Sequence, residues 1–103
     1  MKQALELAQE AGLQGEVPVG AVVVFENRVI GKGYNRREST NSPLSHAEIE
    51  AILEASENIG SWRLEECELY VTLEPCIMCS GAILQSRIKR VVFGPRDPKA
   101  GAV

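Results

Sequence analysis

An α/β fold, with helices covering a mixed sheet, is what this chain of 103 residues predicts. Segments with apolar residues at helical spacing alternate with short β-branched runs. Their order is helix, strand, strand, helix, strand, helix, strand. The first two strands make a hairpin, and the later strand–helix–strand units need crossovers, so their strands are expected to be parallel.

Ala4, Leu7, Ala8 and Ala11 predict an amphipathic helix over residues 2–13, stopped by Gly12 or Gly15. Residues 19–25 form a β-branched apolar run too continuous to be half exposed, which reads as a buried strand. Glu26, Asn27 and Arg28 turn it into a second strand over 29–34. Residues 35–45 are polar and contain Pro43, which makes them a loop. Ser45 takes the N-cap of the next helix, which runs to about residue 56. A third strand covers 69–73, Pro75 suits the first turn of the helix after it, and a fourth strand covers 91–93. Residues 95–103 carry no clear secondary structure. With no repeat, linker or low-complexity segment, residues 1–103 are expected to be one domain with one core.

No stretch approaches the roughly 18 apolar residues of a membrane helix, and the amino terminus lacks the apolar core of a signal peptide. A cytoplasmic protein without membrane partners is therefore expected. Three cysteines, two of them in a Cys-x-x-Cys pair, point to metal or redox use before a disulfide framework. The net charge of −3 argues mildly against nucleic acid. Residues 84–103 run the other way, with five basic residues against Asp97 alone. That asymmetry suits either a phosphate-facing surface or an ordinary solvated one.

Chemistry concentrates in His46-Ala47-Glu48 and Pro75-Cys76-Ile77-Met78-Cys79. Together these offer one imidazole, two thiols and a spare carboxylate. Structural zinc sites close four positions with protein, whereas catalytic ones leave one for water. Three ligands, His46, Cys76 and Cys79, beside one acid/base group, Glu48, fit the catalytic kind. A redox Cys-x-x-Cys is the competitor, since it too occurs at helix starts; the chain's single histidine decides against it. Both segments open helices that follow strand ends, and parallel strands bring such ends to one edge of the sheet. Glu48 has a second reading, because Ser45-x-x-Glu48 matches a capping box. Its place two residues from a ligand favours the proton-transfer role. Cys67 reads as a small buried residue, Glu74 as a turn-fixing residue before proline, and Trp62 as core or lid. Gly31-Lys32-Gly33 matches no phosphate loop.

These motifs resemble the cytidine deaminase superfamily, whose His-x-Glu and Pro-Cys-x-x-Cys pattern is matched by His46, Glu48 and Pro75 through Cys79. Further segments (EVPVGA from Glu16, residues 28–35, TLEPCIMCSGA from Thr72, VVFGPRDPKAGAV from Val91) look most like the bacterial tRNA-specific adenosine deaminases. The resemblance implies a three-layer α/β/α cytidine deaminase-like fold and one zinc ion per chain held by His46, Cys76 and Cys79. It implies hydrolysis of adenosine to inosine at the wobble position of a tRNA anticodon loop, with Glu48 shuttling protons. Asn35, Ala47 and Asp97 would be substrate-binding, and the Cys76 amide would help hold the metal-bound water. A homodimer is also implied. Family members continue with a further strand and carboxy-terminal helices beyond the point reached by residue 103. Two alternatives stay open: deamination of a free base or nucleoside (guanine, cytosine or cytidine), and a non-catalytic zinc-stabilised binding module.

Overall fold

The computed structural model of the chain describes residues 1–95. The element order is α1 (Lys2–Leu13), β1 (Gly20–Phe25), β2 (Arg28–Tyr34), α2 (Arg37–Thr40), α3 (Ala47–Ile59), β3 (Glu68–Val71), α4 (Ile77–Ser86) and β4 (Arg90–Phe93). The strands form one mixed sheet in the order β2-β1-β3-β4. Strand β1 runs antiparallel to both neighbours, and β3 is parallel to β4. Thus β2, β3 and β4 share one direction, as the crossovers require, and the connection through α3 passes over β1 to reach β3. The hairpin turn has positive φ at both Glu26 and Asn27, the type I′ geometry that matches strand twist.

Three layers follow from which residues face which helix. On one face Ala21, Val23, Leu69 and Val71 join Ala47, Ala51, Ile52, Ala55 and Ile83 in the core, so α3 and α4 cover that side. Gly20, of opposite parity in β1, faces α1: a Cβ there would lie 2.0 Å from the Ala4 carbonyl oxygen. The alanines of α1 that are buried, Ala4, Ala8 and Ala11, are the small side chains such an approach needs. Helix α1 ends in a Schellman turn, with Gly15 at φ +79° and the Glu16 N–H donating to the Ala11 carbonyl at 3.0 Å.

Helix α3 lies still closer to β2. Cβ atoms at Gly31 and Gly33 would meet the carbonyl oxygens of Ala51 and Ala47 at 2.2 and 2.4 Å. Ala47, Ala51 and Ala55, four apart on one helical stripe, are all fully buried there. The Gly31-Lys32-Gly33 pair is therefore a packing device inside a strand and no phosphate loop.

Several expectations need correcting. The N-cap of α3 is His46, not Ser45, and no side chain caps it. The Ser45 hydroxyl instead accepts from Thr40 Oγ1 at 2.7 Å, so the capping box does not form. The same helix runs to Ile59 and stops at Gly60, which adopts φ +77°. Pro75 lies before the N-cap Cys76 rather than in the first turn of α4, and β3 stops at Val71. Part of the loop expected over 35–45 folds as α2. Trp62 is 56% exposed, against the core role expected of it, and stacks against Arg63 at 5.0 Å. No helix of the described residues is long and apolar enough to cross a membrane. Asp97 and the segment beyond Pro95 lie outside the described residues.

Substituting Gly33 by Ala is expected to cost about 3 kcal/mol, because the new methyl meets helix backbone that cannot step aside. Gly81→Ala, where nothing lies within 4 Å of the new atom, should instead stabilise by about 0.5–1 kcal/mol through helix propensity. Chemical denaturation of the two variants checks the contrast.

Candidate metal centre and substrate cleft

The shared direction of β2, β3 and β4 brings their carboxy-terminal ends to one edge of the sheet, the edge where open α/β sheets gather ligands. After β2 the chain passes through Asn35, α2 and Ser45 before α3 begins. After β3 it passes through Glu74 and Pro75 into α4. Both helices start at this edge, and their N-terminal residues converge there.

His46 Nδ1 lies 3.5 Å from Cys76 Sγ and 3.5 Å from Cys79 Sγ. All three ligand atoms fall within 4.8 Å of one another. Zinc–sulfur bonds of about 2.3 Å and a zinc–nitrogen bond of about 2.05 Å, at a tetrahedral angle, put sulfur and nitrogen about 3.6 Å apart. The residues therefore fit a tetrahedral ion with three protein ligands. Among the described residues no other His, Cys, Asp or Glu joins the group.

Electrostatics at the centre run in one direction. Burial, aided by the nearby Arg37 guanidinium, pulls the His46 imidazole below its ordinary range. Burial pushes the Cys79 thiol far up, and the neighbouring Glu48 and Cys76 add to it. Burial also raises the Glu48 carboxyl, with hydrogen bonds from its own amide and from Cys79 working against the shift. Glu48 is only 4% exposed. Each group is pushed toward its uncharged form, the response of buried ionisable groups without a counter-charge.

The centre forms the floor of a cleft of about 590 Å³, open space at its mouth included. Its walls are Val17, Val19, Asn35, Arg37, Ala47, Leu73 and Glu74, with His46, Glu48 and Cys76 at the base. Asn35 is 7% exposed, and its Oδ1 accepts the Arg37 N–H at 3.1 Å. The expected residues His46, Ala47, Glu48, Cys76, Cys79 and Asn35 are thus all brought together, while Asp97 falls outside the described residues. Glu74, expected only to fix a turn, is a buried wall of the cleft. Sequence reasoning missed Val17, Val19, Leu73 and Arg37. The resembling segment from Glu16 to Ala21 was the available signal for the first two.

The chain matches, over residues 1–95, the family described as the cytidine and deoxycytidylate deaminase zinc-binding region. The chain belongs to this zinc-binding deaminase family. It is 50% identical over 101 residues to a tRNA-specific adenosine deaminase of Bacillus subtilis, covering 98% of this chain and 63% of that relative. A tRNA-specific adenosine deaminase of Haemophilus influenzae is 54% identical over 104 residues, covering 100% of this chain and 60% of the relative. The chain thus spans somewhat over half the length of these relatives. A structure solved in a study of A-to-I editing by tRNA:A34 deaminases superposes with a TM-score of 0.98 at 50% identity, covering 100% of this chain and 75% of that one. A guanine deaminase of Bacillus subtilis superposes at 0.89 and 40% identity, covering 92% of this chain and 61% of that one. The three-layer fold with a mixed sheet is that of the family.

Zinc is expected to raise the melting temperature, by an increment that shrinks as the pH falls. The sign follows from Cys79: a thiol pushed up by burial holds its proton, which zinc must displace. Each displaced proton weakens apparent zinc affinity about tenfold per pH unit of acidification. His46, pulled down, stays neutral and contributes little over the same range. Thermal scans with and without zinc at several pH values read the increment, and Cys79→Ser should abolish it.

Proposed function

We propose that this chain is the catalytic domain of a tRNA adenosine deaminase, converting adenosine to inosine at the wobble position of an anticodon loop. The observation that carries the reading is the three-ligand cluster with the buried Glu48 carboxyl beside it, at the base of an open cleft. Two curated relatives named tRNA-specific adenosine deaminase, at 50% and 54% identity, support the choice of substrate.

His46, Cys76 and Cys79 hold the zinc. When bound, the ion supplies Lewis acidity that makes a water reactive near neutral pH. Glu48 takes a proton released by water, delivers it to the purine ring nitrogen beside C6, and then serves the departing amine. Its raised affinity for a proton suits a group that must both accept and give one. Water adds at C6, the C6–N bond breaks, and ammonia leaves. Asn35, its carbonyl oxygen fixed by the Arg37 N–H, is left with its amide N–H groups to orient the base or its sugar. Ala47 is a wall small enough to admit the ring. Asp97 contacts the neighbouring nucleotide.

The active species is a cytoplasmic homodimer of one deaminase domain per chain, residues 1–103 contributing to it. Exposed Leu53 and Trp62, which line one shallow depression with Ile52 and Ala82 between α3 and α4, support association. A second reading, hydrolysis of a free base, draws on the likeness to a guanine deaminase.

The test is inosine formation by zinc-loaded protein on an anticodon stem-loop bearing adenosine at the wobble position, beside free guanine and free nucleosides. Glu48→Gln should retain zinc and lose about 10²- to 10⁴-fold in rate. Ammonia from guanine with no inosine from the stem-loop would move the assignment to free-base deamination.

A further inference from the structure

Helix α2 contributes Arg37 to the mouth of the cleft and does not stand on local preference alone. Four residues are too few to sustain a helix. Glu38 in its first turn suits the helix dipole, but that contribution is too small to hold so short a helix. Side chains outside the helix hold it, one next to it and one distant in sequence. Asn35 Oδ1 accepts the Arg37 N–H. Glu16 Oε1 accepts the Glu38 N–H at 3.1 Å, and Oε2 accepts the Ser39 N–H at 2.7 Å and the Ser39 hydroxyl at 2.6 Å. The first three amides of α2 are thus all taken up by side chains. Glu16 is 6% exposed, and the Schellman turn of α1 fixes its own backbone. The Ser39 hydroxyl and the two amides outweigh burial and hold its carboxyl below the ordinary range, so it works as an anion.

Among the described residues Arg37 is the one lysine or arginine lining the cleft, and it has no carboxylate partner there. Its neighbour Arg36 differs on both counts. That side chain lies 3.9 Å from Glu50 and over the Tyr34 ring, turned to the other side of the strand end. A free base brings no phosphate to the cleft mouth, whereas a nucleotide within a strand brings one on each side.

We propose that Arg37 recognises a phosphate flanking the reacting nucleoside, and that Glu16 is a positioning residue that holds α2, and with it Arg37, at the cleft mouth. The proposal rests on the polynucleotide reading of the substrate and adds how a strand is told from a free base. Phosphate contacts fix register without reading sequence. Arg37 therefore acts on KM and salt dependence, and Glu16 acts through Arg37.

The experiment measures kcat and KM of zinc-loaded protein on the anticodon stem-loop at about 50 and 200 mM salt. Stem-loop Kd is measured over the same salt range in the inactive Glu48→Gln background. The variants are Arg37→Ala, Glu16→Gln, the double variant, and Lys2→Ala as a distant charge control. Arg37→Ala should raise KM roughly fivefold at low salt, the upper end for one exposed charge pair, with kcat unchanged. The slope of log Kd against log salt should fall by about 0.7. Glu16→Gln should reproduce both changes, and the double variant should be no worse than Arg37→Ala, because both remove one interaction. Lys2→Ala should match wild type. Unchanged KM and slope in Arg37→Ala would overturn the phosphate role. A Glu16→Gln that lowers kcat or zinc content, leaves the slope intact and adds to Arg37→Ala would overturn the positioning role. Wild type that deaminates guanine but neither binds nor edits the stem-loop refutes the polynucleotide reading itself, and this inference with it.

Discussion

Backbone-to-backbone contact between α3 and β2 is the constraint on which the rest of the structure depends. Glycine at 31 and 33 faces alanine at 47, 51 and 55, and the added Cβ atoms would meet helix backbone at 2.2–2.4 Å. Nothing larger fits, so the helix has one depth and one rotation against the sheet. That rotation sets His46 as its N-cap and buries Glu48 two residues further on. A similar contact between Gly20 and α1 fixes the opposite face. With both layers set, the parallel course of β3 brings α4 to the same edge, and Cys76 and Cys79 arrive 3.5 Å from the imidazole. Ligand geometry is thus a consequence of close packing among small residues remote from the ligands themselves.

The same burial that fixes the geometry creates an electrostatic demand. A thiol and a carboxyl are pushed up and an imidazole is pulled down, each by loss of water. Arg37, at the mouth, lowers the imidazole further and is no ligand. A divalent cation answers the demand, because it favours thiolate and leaves neutral imidazole its lone pair. It also changes the role of Glu48. A carboxyl whose proton affinity is raised by burial, placed beside a Lewis acid, can exchange a proton in both directions near neutral pH.

The chemistry was legible in the sequence because ligand type and spacing constrain it directly. Cys76-x-x-Cys79 at a helix start and His46-x-Glu48 at another specify a three-ligand site whatever the details of packing. The strand order beyond the hairpin was not, since alternation of helices and strands says that β2 and β3 are parallel but not that β1 lies between them. The capping box at Ser45 misled because a Ser-x-x-Glu spacing does not by itself fix where a helix starts, and this one starts a residue later, with His46 as N-cap and Glu48 at the second helical position. Trp62 misled because size and apolarity suggest a core, whereas its backbone lies in the turn after α3. Helix α2 and the role of Glu16 could not be read at all. The bonds to Glu16 span 22 and 23 residues and follow no local pattern, and the one local bond, from the Arg37 N–H to Asn35, does not specify a helix by itself.

X-ray absorption at the zinc edge of the metal-loaded protein tests the central claim most directly, that three protein ligands leave one position for water. Two sulfurs at about 2.3 Å, one imidazole nitrogen and one further light atom at about 2.0–2.1 Å are expected. Cys76→Ser should change the sulfur count by one, and Glu48→Gln should leave the spectrum unchanged. A third sulfur, a second imidazole, or a spectrum that alters with Glu48→Gln would mean that protein closes the fourth position, and would contradict a hydrolytic site.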